Sequence, residues 1–209
     1  EIGEYAKANG VKHLIYFSSM NVYGDYCDNI TNRNKVNPTS FYGDSKLQGD
    51  LGLEKLEDES FVVSHIRPPF VYGKGCSGNY NTISKIAKKV PIFPDYNNKK
   101  SMIYIDNLCE FLCQIMLVDN FEEKAVVLIP QNAEWTKTAD MVEMIAKVSG
   151  RKIRKTRVLA PAVNIGGKMP GKIGGLVNKA FGNSCYAHDL SNYTGINYQK
   201  KSLNESIIC

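Results

Sequence analysis

Two apolar runs rich in β-branched and aromatic residues, Lys12 to Ser18 and Phe61 to Arg67, flank a stretch from Tyr42 to Leu56 that is periodic through Leu47, Leu51 and Leu53. Strand, helix, strand in that order is a crossover unit, which demands parallel pairing and a sheet covered by helices. The spacing predicts a doubly wound α/β architecture. Ahead of it, Glu1 to Asn9 reads as a helix stopped by Gly10, and Pro68-Pro69 terminates the second strand. Downstream the pattern loosens: a helix from Thr82 to Lys89, a short extended run Ser101 to Ile105, a helix from Asn107 to Val118 that Asp106 and Asn107 would cap, and a strand from Ala125 to Ile129. Another helix follows, with Thr138 as its cap and Gly150 as its end. Beyond Arg157 the chain is basic and Gly-rich, and no element is assigned there.

Composition narrows the function classes. With 43% hydrophobic and 22% charged residues the chain is an ordinary globular sequence. No apolar run approaches the ~20 residues of a membrane span, and the first residues show neither an initiator Met nor a signal pattern. A cytoplasmic protein without membrane contact is expected, and one that is a fragment of something longer. Six cysteines and three histidines lie apart from one another, so neither a metal site nor a disulfide framework is expected. Cys109 and Cys113, four apart on a helix, read as a buried apolar pair. The net charge of +5 comes with basic clusters but no nucleic-acid recognition motif, and Lys99-Lys100 is the cluster best suited to a phosphate.

The chemistry concentrates in Ser18-Ser19-Met20-Asn21-Val22-Tyr23-Gly24 and Tyr42-Gly43-Asp44-Ser45-Lys46. Tyr42 and Lys46 are four apart, so a helix points both from one face. An ammonium beside a phenol favours the phenolate, the form that acts as a general base. Ser19 follows a parallel strand at its carboxyl end, where open α/β sheets hold their ligands. Strand, Ser-Ser-x-x-Val-Tyr-Gly and then Tyr-x-x-x-Lys resembles the extended short-chain dehydrogenase/reductase family, in which the catalytic Ser or Thr stands three residues before the Val-Tyr-Gly. The matching residue is Ser19, not Ser18. Ile66-Arg67-Pro68-Pro69-Phe70-Val71-Tyr72-Gly73 is similar to that family's segment along the nicotinamide and the substrate, and Gly78-Asn79 to its contact near the nucleotide base. Lys100 stands where the family carries an Arg on the diphosphate, and a lysine serves there as a point charge rather than a bidentate clamp.

The resemblance implies an incomplete, Rossmann-like doubly wound sheet with a smaller carboxyl-terminal substrate part, divided at residues 1–73 and 74–209. It implies Ser19, Tyr42 and Lys46 as catalytic residues, Ser18, Tyr42, Lys46, Pro68, Pro69 and Phe70 on NAD or NADP, and Ser19, Asn79 and Lys100 on a UDP-sugar. The implied reaction is epimerisation at the sugar C4 through a transient keto sugar, in the setting of polysaccharide biosynthesis. Two alternatives stay open: an NADPH-dependent reductase of nucleotide-linked 4-keto sugars, and a non-catalytic sugar-nucleotide-binding module. A dehydratase fits poorly, since Met20-Asn21 occupies the place of its Asp-Glu pair. The resemblance also implies a homodimer through the helix carrying Tyr42, with Leu47, Leu51 and Leu53 at the interface or in the core.

The family's Gly-x-x-Gly-x-x-Gly turn, which holds the dinucleotide pyrophosphate at a helix amino terminus, has no counterpart in these residues. Gly166-Gly167 and Gly171, Gly174 and Gly175 follow no strand and read as a flexible or substrate-side segment. The 209 residues alone are expected neither to hold NAD nor to catalyse, and to self-associate along Leu14-Ile15-Tyr16-Phe17.

Overall fold

The computed structural model describes residues 1–25, 27–76, 79–117 and 126–207, with the backbone but not the side chain of Asn79. In chain order the elements are α1 (Ile2–Ala8), β1 (His13–Phe17), α2 (Phe41–Glu54), β2 (Val62–Ile66), β3 (Phe70–Tyr72), α3 (Asn79–Ala87), β4 (Ile92–Pro94) and β5 (Met102–Tyr104). They continue with α4 (Ile105–Met116), β6 (Val126–Leu128), α5 (Thr138–Val148), β7 (Arg154–Thr156), α6 (Ala160–Lys168), α7 (Gly171–Phe181) and the single turn α8 (Leu203–Ser206).

The expected crossover forms a parallel sheet of order β1-β2-β6, with Leu14 opposite Val63, Phe17 opposite Ile66 and Ile66 opposite Leu128. Two further parallel pairs, β3 with β5 and β4 with β7, extend the fold toward its second half. Ile66 and Leu128 of the sheet meet Leu108, Phe111 and Ile115 of α4 in one core, closed by Tyr198. A second core gathers Tyr72, Met102, Met141, Val142 and Ile145 under α3 and α5. Among the described residues β1 has a neighbour on one side only.

Helix α2 starts one residue before the expected Tyr42 because the Ser40 hydroxyl accepts the Gly43 N–H at 3.2 Å, a capping bond. Two other caps are not where the sequence pattern puts them. Thr138 is the first residue of α5 rather than its cap; its hydroxyl donates to the Ala180 carbonyl at 2.6 Å and accepts from Asn98 at 3.0 Å, which ties α5 to α7. At α4 the cap position is Tyr104, and Asn107 is buried inside the helix, where its amide donates to Asn132 and to the Lys201 carbonyl. The expected buried pair Cys109 and Cys113 is exposed on α4. Val118 and Ala125, which end the expected helix and begin the expected strand, lie outside the described residues.

The Gly-rich segment is a helical hairpin, not the flexible stretch that its composition implies. Small residues let α6 and α7 run back against each other: Gly166 faces Val177, and the Asn178 amide donates to the Gly167 carbonyl at 2.9 Å. A methyl at Gly174 would collide with the Met169 carbonyl oxygen, a backbone atom that cannot step aside. Gly-to-Ala in a helix ordinarily stabilises by about 1 kcal/mol through propensity, whereas a forced overlap costs about 1–3 kcal/mol. Gly174→Ala is therefore expected to lower the melting temperature by several degrees, as followed by circular dichroism, and an unchanged or raised value would show that the hairpin is looser than this packing.

Candidate active site

Ser19 leaves β1 at its carboxyl end and caps a 3-10 turn, Met20–Tyr23, by accepting the Asn21 N–H at 3.2 Å. That fixes the oxygen and leaves the hydroxyl proton available as a donor. The start of α2 lies directly on this turn. A Cβ at Gly43 would sit 2.5 Å from the Asn21 carbonyl oxygen, so only glycine permits the approach that brings Tyr42 beside the Ser19 turn. The Tyr42 ring is 54% exposed. The Lys46 ammonium donates to the Phe17 carbonyl at 2.8 Å and lies 6.0 Å from the Tyr42 ring centroid. Strand end, serine, tyrosine and lysine thus converge at the carboxyl edge of the sheet, where β1 also presents Phe17, 41% exposed.

Ser18, expected at a cofactor, is buried, and its hydroxyl donates to the Asp50 carboxylate at 2.8 Å. Asp50 is the residue that sequence reasoning missed. It accepts from Arg67 Nε at 3.2 Å and Nη2 at 2.9 Å, and its other oxygen meets His65 Nδ1 at 2.9 Å, while Arg67 Nη1 donates to the Tyr23 hydroxyl at 2.9 Å. Burial pushes the Asp50 carboxyl up, but hydrogen bonds from His65 and Ser18 and the Arg67 charge outweigh it and hold the group below the usual carboxylate value. The signal was available, since Tyr42, Lys46 and Asp50 are i, i+4 and i+8 on one helix face.

Pro68 is half-buried and Pro69 buried beyond the end of β2, and the Pro68 carbonyl accepts the Met20 N–H at 3.2 Å. Phe70, partly buried, packs against the second core with Tyr72 and Met102. Gly78 and the Asn79 side chain lie outside the described residues. Lys100 is half-buried on an irregular strand bridged to Thr136 and Ser184, and no ion pair to it exists among the described residues. Burial pushes its ammonium down to about 8, with the neighbouring Cys185 opposing the shift and the Lys179 charge adding to it. Ser184 connects the Lys99-Lys100 segment to the Ser19 turn: its N–H donates to the Lys99 carbonyl at 2.9 Å and its hydroxyl reaches the Met20 sulfur at 3.1 Å. A separate cleft of about 530 Å³, lined by Asp95, Tyr96, Lys137 and Arg157, includes none of the expected site residues.

A UDP-glucose 4-epimerase of Vibrio cholerae is 29% identical over 153 residues, which are 69% of this chain and 46% of that protein. An N-acetyl-alpha-D-glucosaminyl-diphospho-ditrans,octacis-undecaprenol 4-epimerase of Escherichia coli is 34% identical over 109 residues, 50% of this chain and 33% of that one. The chain thus spans less than half the length of these relatives. The structure of a Thermus thermophilus UDP-glucose 4-epimerase complex with NAD superposes with a TM-score of 0.70 at 16% identity, over 99% of this chain and 65% of that one, a likeness of fold. The sequence model of the NAD dependent epimerase/dehydratase family matches residues 1–129, well over half of the chain, and that match, together with the strand-end serine and the Tyr-Lys helix, places the chain in this family.

Proposed function

We propose that the protein containing this chain catalyses the NAD-dependent 4-epimerisation of a UDP-linked hexose. The observation that carries this reading is the Lys46 ammonium, fixed on the Phe17 carbonyl beside an exposed Tyr42 ring at the carboxyl end of a parallel strand. The residues present fit the nicotinamide end of NAD: Tyr42 and Lys46 face an open edge, and Pro68-Pro69 borders it. They hold no Gly-rich turn for the pyrophosphate, so the chain supplies only part of a cofactor site. NAD, held at this edge, would supply the acceptor and donor of a hydride at the sugar carbon. Tyr42 removes the proton of the sugar hydroxyl and returns it, Lys46 stands beside it to hold a ribose hydroxyl, and Ser19 donates to the reacting oxygen. Turning the keto sugar over between the two transfers inverts the carbon. A homodimer through α2 belongs to the same reading, since Phe41 and Leu51 leave apolar surface there.

Incubating the intact protein with UDP-glucose and with UDP-N-acetylglucosamine, and separating the products, tests the proposal. The C4 epimer should form over many turnovers without added reductant. Stoichiometric oxidation of NADPH with a keto sugar, and no epimer, would make the protein a reductase instead.

Lys100 is the residue proposed for the diphosphate, because it is a half-buried cation that lacks an anion among the described residues. Lys100→Ala should weaken UDP-sugar binding by about 10-fold, with little change for the free sugar, a difference that titration calorimetry reads directly. Equal losses for both ligands would remove the assignment. The sign of the pH dependence follows from the lowered ammonium. The diphosphate needs the charged form, so wild-type affinity should hold below pH 8 and fall as pH rises through about 8, well before an ordinary lysine would discharge.

A further inference from the structure

The α6–α7 hairpin carries Lys179 near Lys100 but none of the residues given a role above, and it concentrates two features that surfaces in water rarely combine. Val158, Ile165 and Met169 are exposed at positions that fall on one stripe of α6 and its flanks, and Ile173 and Leu176 are exposed three apart on α7. Ile165 and Leu176 keep 67% and 68% of their surface in water. They are not spare core residues, because the inward face of each helix is already occupied by Val163, Val177 and Phe181. The same part of the chain holds no Asp or Glu between Met144 and His188, while it carries Lys147, Arg151, Lys152, Arg154, Lys155, Arg157, Lys168, Lys172 and Lys179. Lys155 is neutralised by Asp140 and Glu143, and Arg157 lies 3.4 Å from Asp95. Lys168, Lys172 and Lys179 are exposed on the hairpin itself with no ion pair among the described residues.

We infer that this hairpin is an interfacial anchor that lays its apolar stripes into the surface of an anionic lipid bilayer. Apolar side chains flanked by lysines on short helices match that interface, where the stripe enters the acyl boundary and the ammonium groups meet lipid phosphates. No helix among the described residues is long and apolar enough to cross a membrane, and α7, at eleven residues, lies on the surface rather than through it. The expected lack of membrane contact rests on the missing span, which is a different physical claim from adsorption. Charge selects the occupant. A second copy docking the same face would set lysines against lysines, and a polyanion without an apolar phase would leave Ile165 and Leu176 in water, whereas an anionic bilayer satisfies both features at once. The inference does not depend on which reaction the protein catalyses.

Flotation of the intact protein with vesicles tests it, using phosphatidylcholine containing about one-third phosphatidylglycerol against phosphatidylcholine alone. The protein should float with the anionic vesicles, much less with the neutral ones, and less again at about 1 M salt. The double variant Lys168→Glu/Lys172→Glu should lose about 25-fold or more in partitioning, at roughly 5-fold for each lysine removed from the surface. Ile165→Glu/Leu176→Glu should lose it as well, with an unchanged circular dichroism melt, because both side chains are exposed. Failure of the wild type to float with anionic vesicles overturns the inference. So does flotation of the lysine variant like the wild type, and so does a lipid-free dimer that the apolar variant dissolves while vesicle binding is absent.

Discussion

Tyr42→Phe is expected to lower turnover of the intact protein by about 10²-fold or more while leaving UDP-sugar binding and the melting temperature nearly unchanged. The asymmetry follows from where the phenol stands. Its ring is half in water, and among the described residues no hydrogen bond reaches its hydroxyl, so deleting one oxygen breaks no contact that the fold uses. What the oxygen offers is a proton acceptor and donor beside Lys46, on the same helix face and above the Ser19 turn. A general acid/base group is felt in the transition state and little in the ground state, which predicts a loss in kcat with KM held. Steady-state rates of the variant and the wild type on one UDP-sugar decide it. Wild-type turnover in the phenylalanine variant would remove Tyr42 from the mechanism and with it the reason for reading the chain as catalytic; a loss confined to KM would make the tyrosine a binding residue only.

How much of this was legible in the sequence depended on whether a residue's role is set locally. The βαβ unit was read nearly to its ends because two runs of strand-forming residues and one helical period leave few alternatives, and His13–Phe17, Phe41–Glu54 and Val62–Ile66 are all local patterns. Ser19, Tyr42 and Lys46 converge because a strand end and one turn of helix bring them together over short stretches of chain. The misplaced features are the ones decided by distant partners. Thr138 resembles a cap, but Asn98 and the Ala180 carbonyl, both about forty residues away, claim its hydroxyl. Ser18 and Ser19 differ by one residue and so face opposite sides of the strand end, one into the Asp50 network and the other onto the turn. The glycines of α6 and α7 read as flexibility because composition alone does not distinguish a loose chain from two helices packed closely enough to exclude a methyl group. The charge of Lys100 is plain in the sequence, but its partial burial depends on bridges to the distant Thr136 and Ser184.

Asp50→Ala is expected to be the most damaging single substitution for the fold, at about 3–5 kcal/mol, because it strips the partner from a buried guanidinium and a buried imidazole together. Arg67 keeps 11% of its side-chain surface and His65 4%, so neither turns to water when the carboxylate is gone, and among the described residues His65 Nε2 already lacks a hydrogen-bond partner. Against a total domain stability of about 5–15 kcal/mol, that loss removes a large share. Asp50→Asn keeps an acceptor and the shape but not the charge, so it should fall between alanine and the wild type. The pH dependence separates this account from a plain cavity. The native Asp50 carboxyl is held below its ordinary value, so its contribution is complete above the unfolded pKa of about 3.9 and is lost as pH falls through the lower, folded value. The gap in unfolding free energy between the wild type and Asp50→Asn should therefore be flat from neutral pH to about pH 5 and close in stronger acid. Denaturant titrations across that range measure it. A gap that does not change with pH would mean the carboxylate acts by shape alone. A small loss for Asp50→Ala would mean that Arg67 finds another partner, and that the turn it holds through Tyr23, with Ser19 at its head, does not rest on this network.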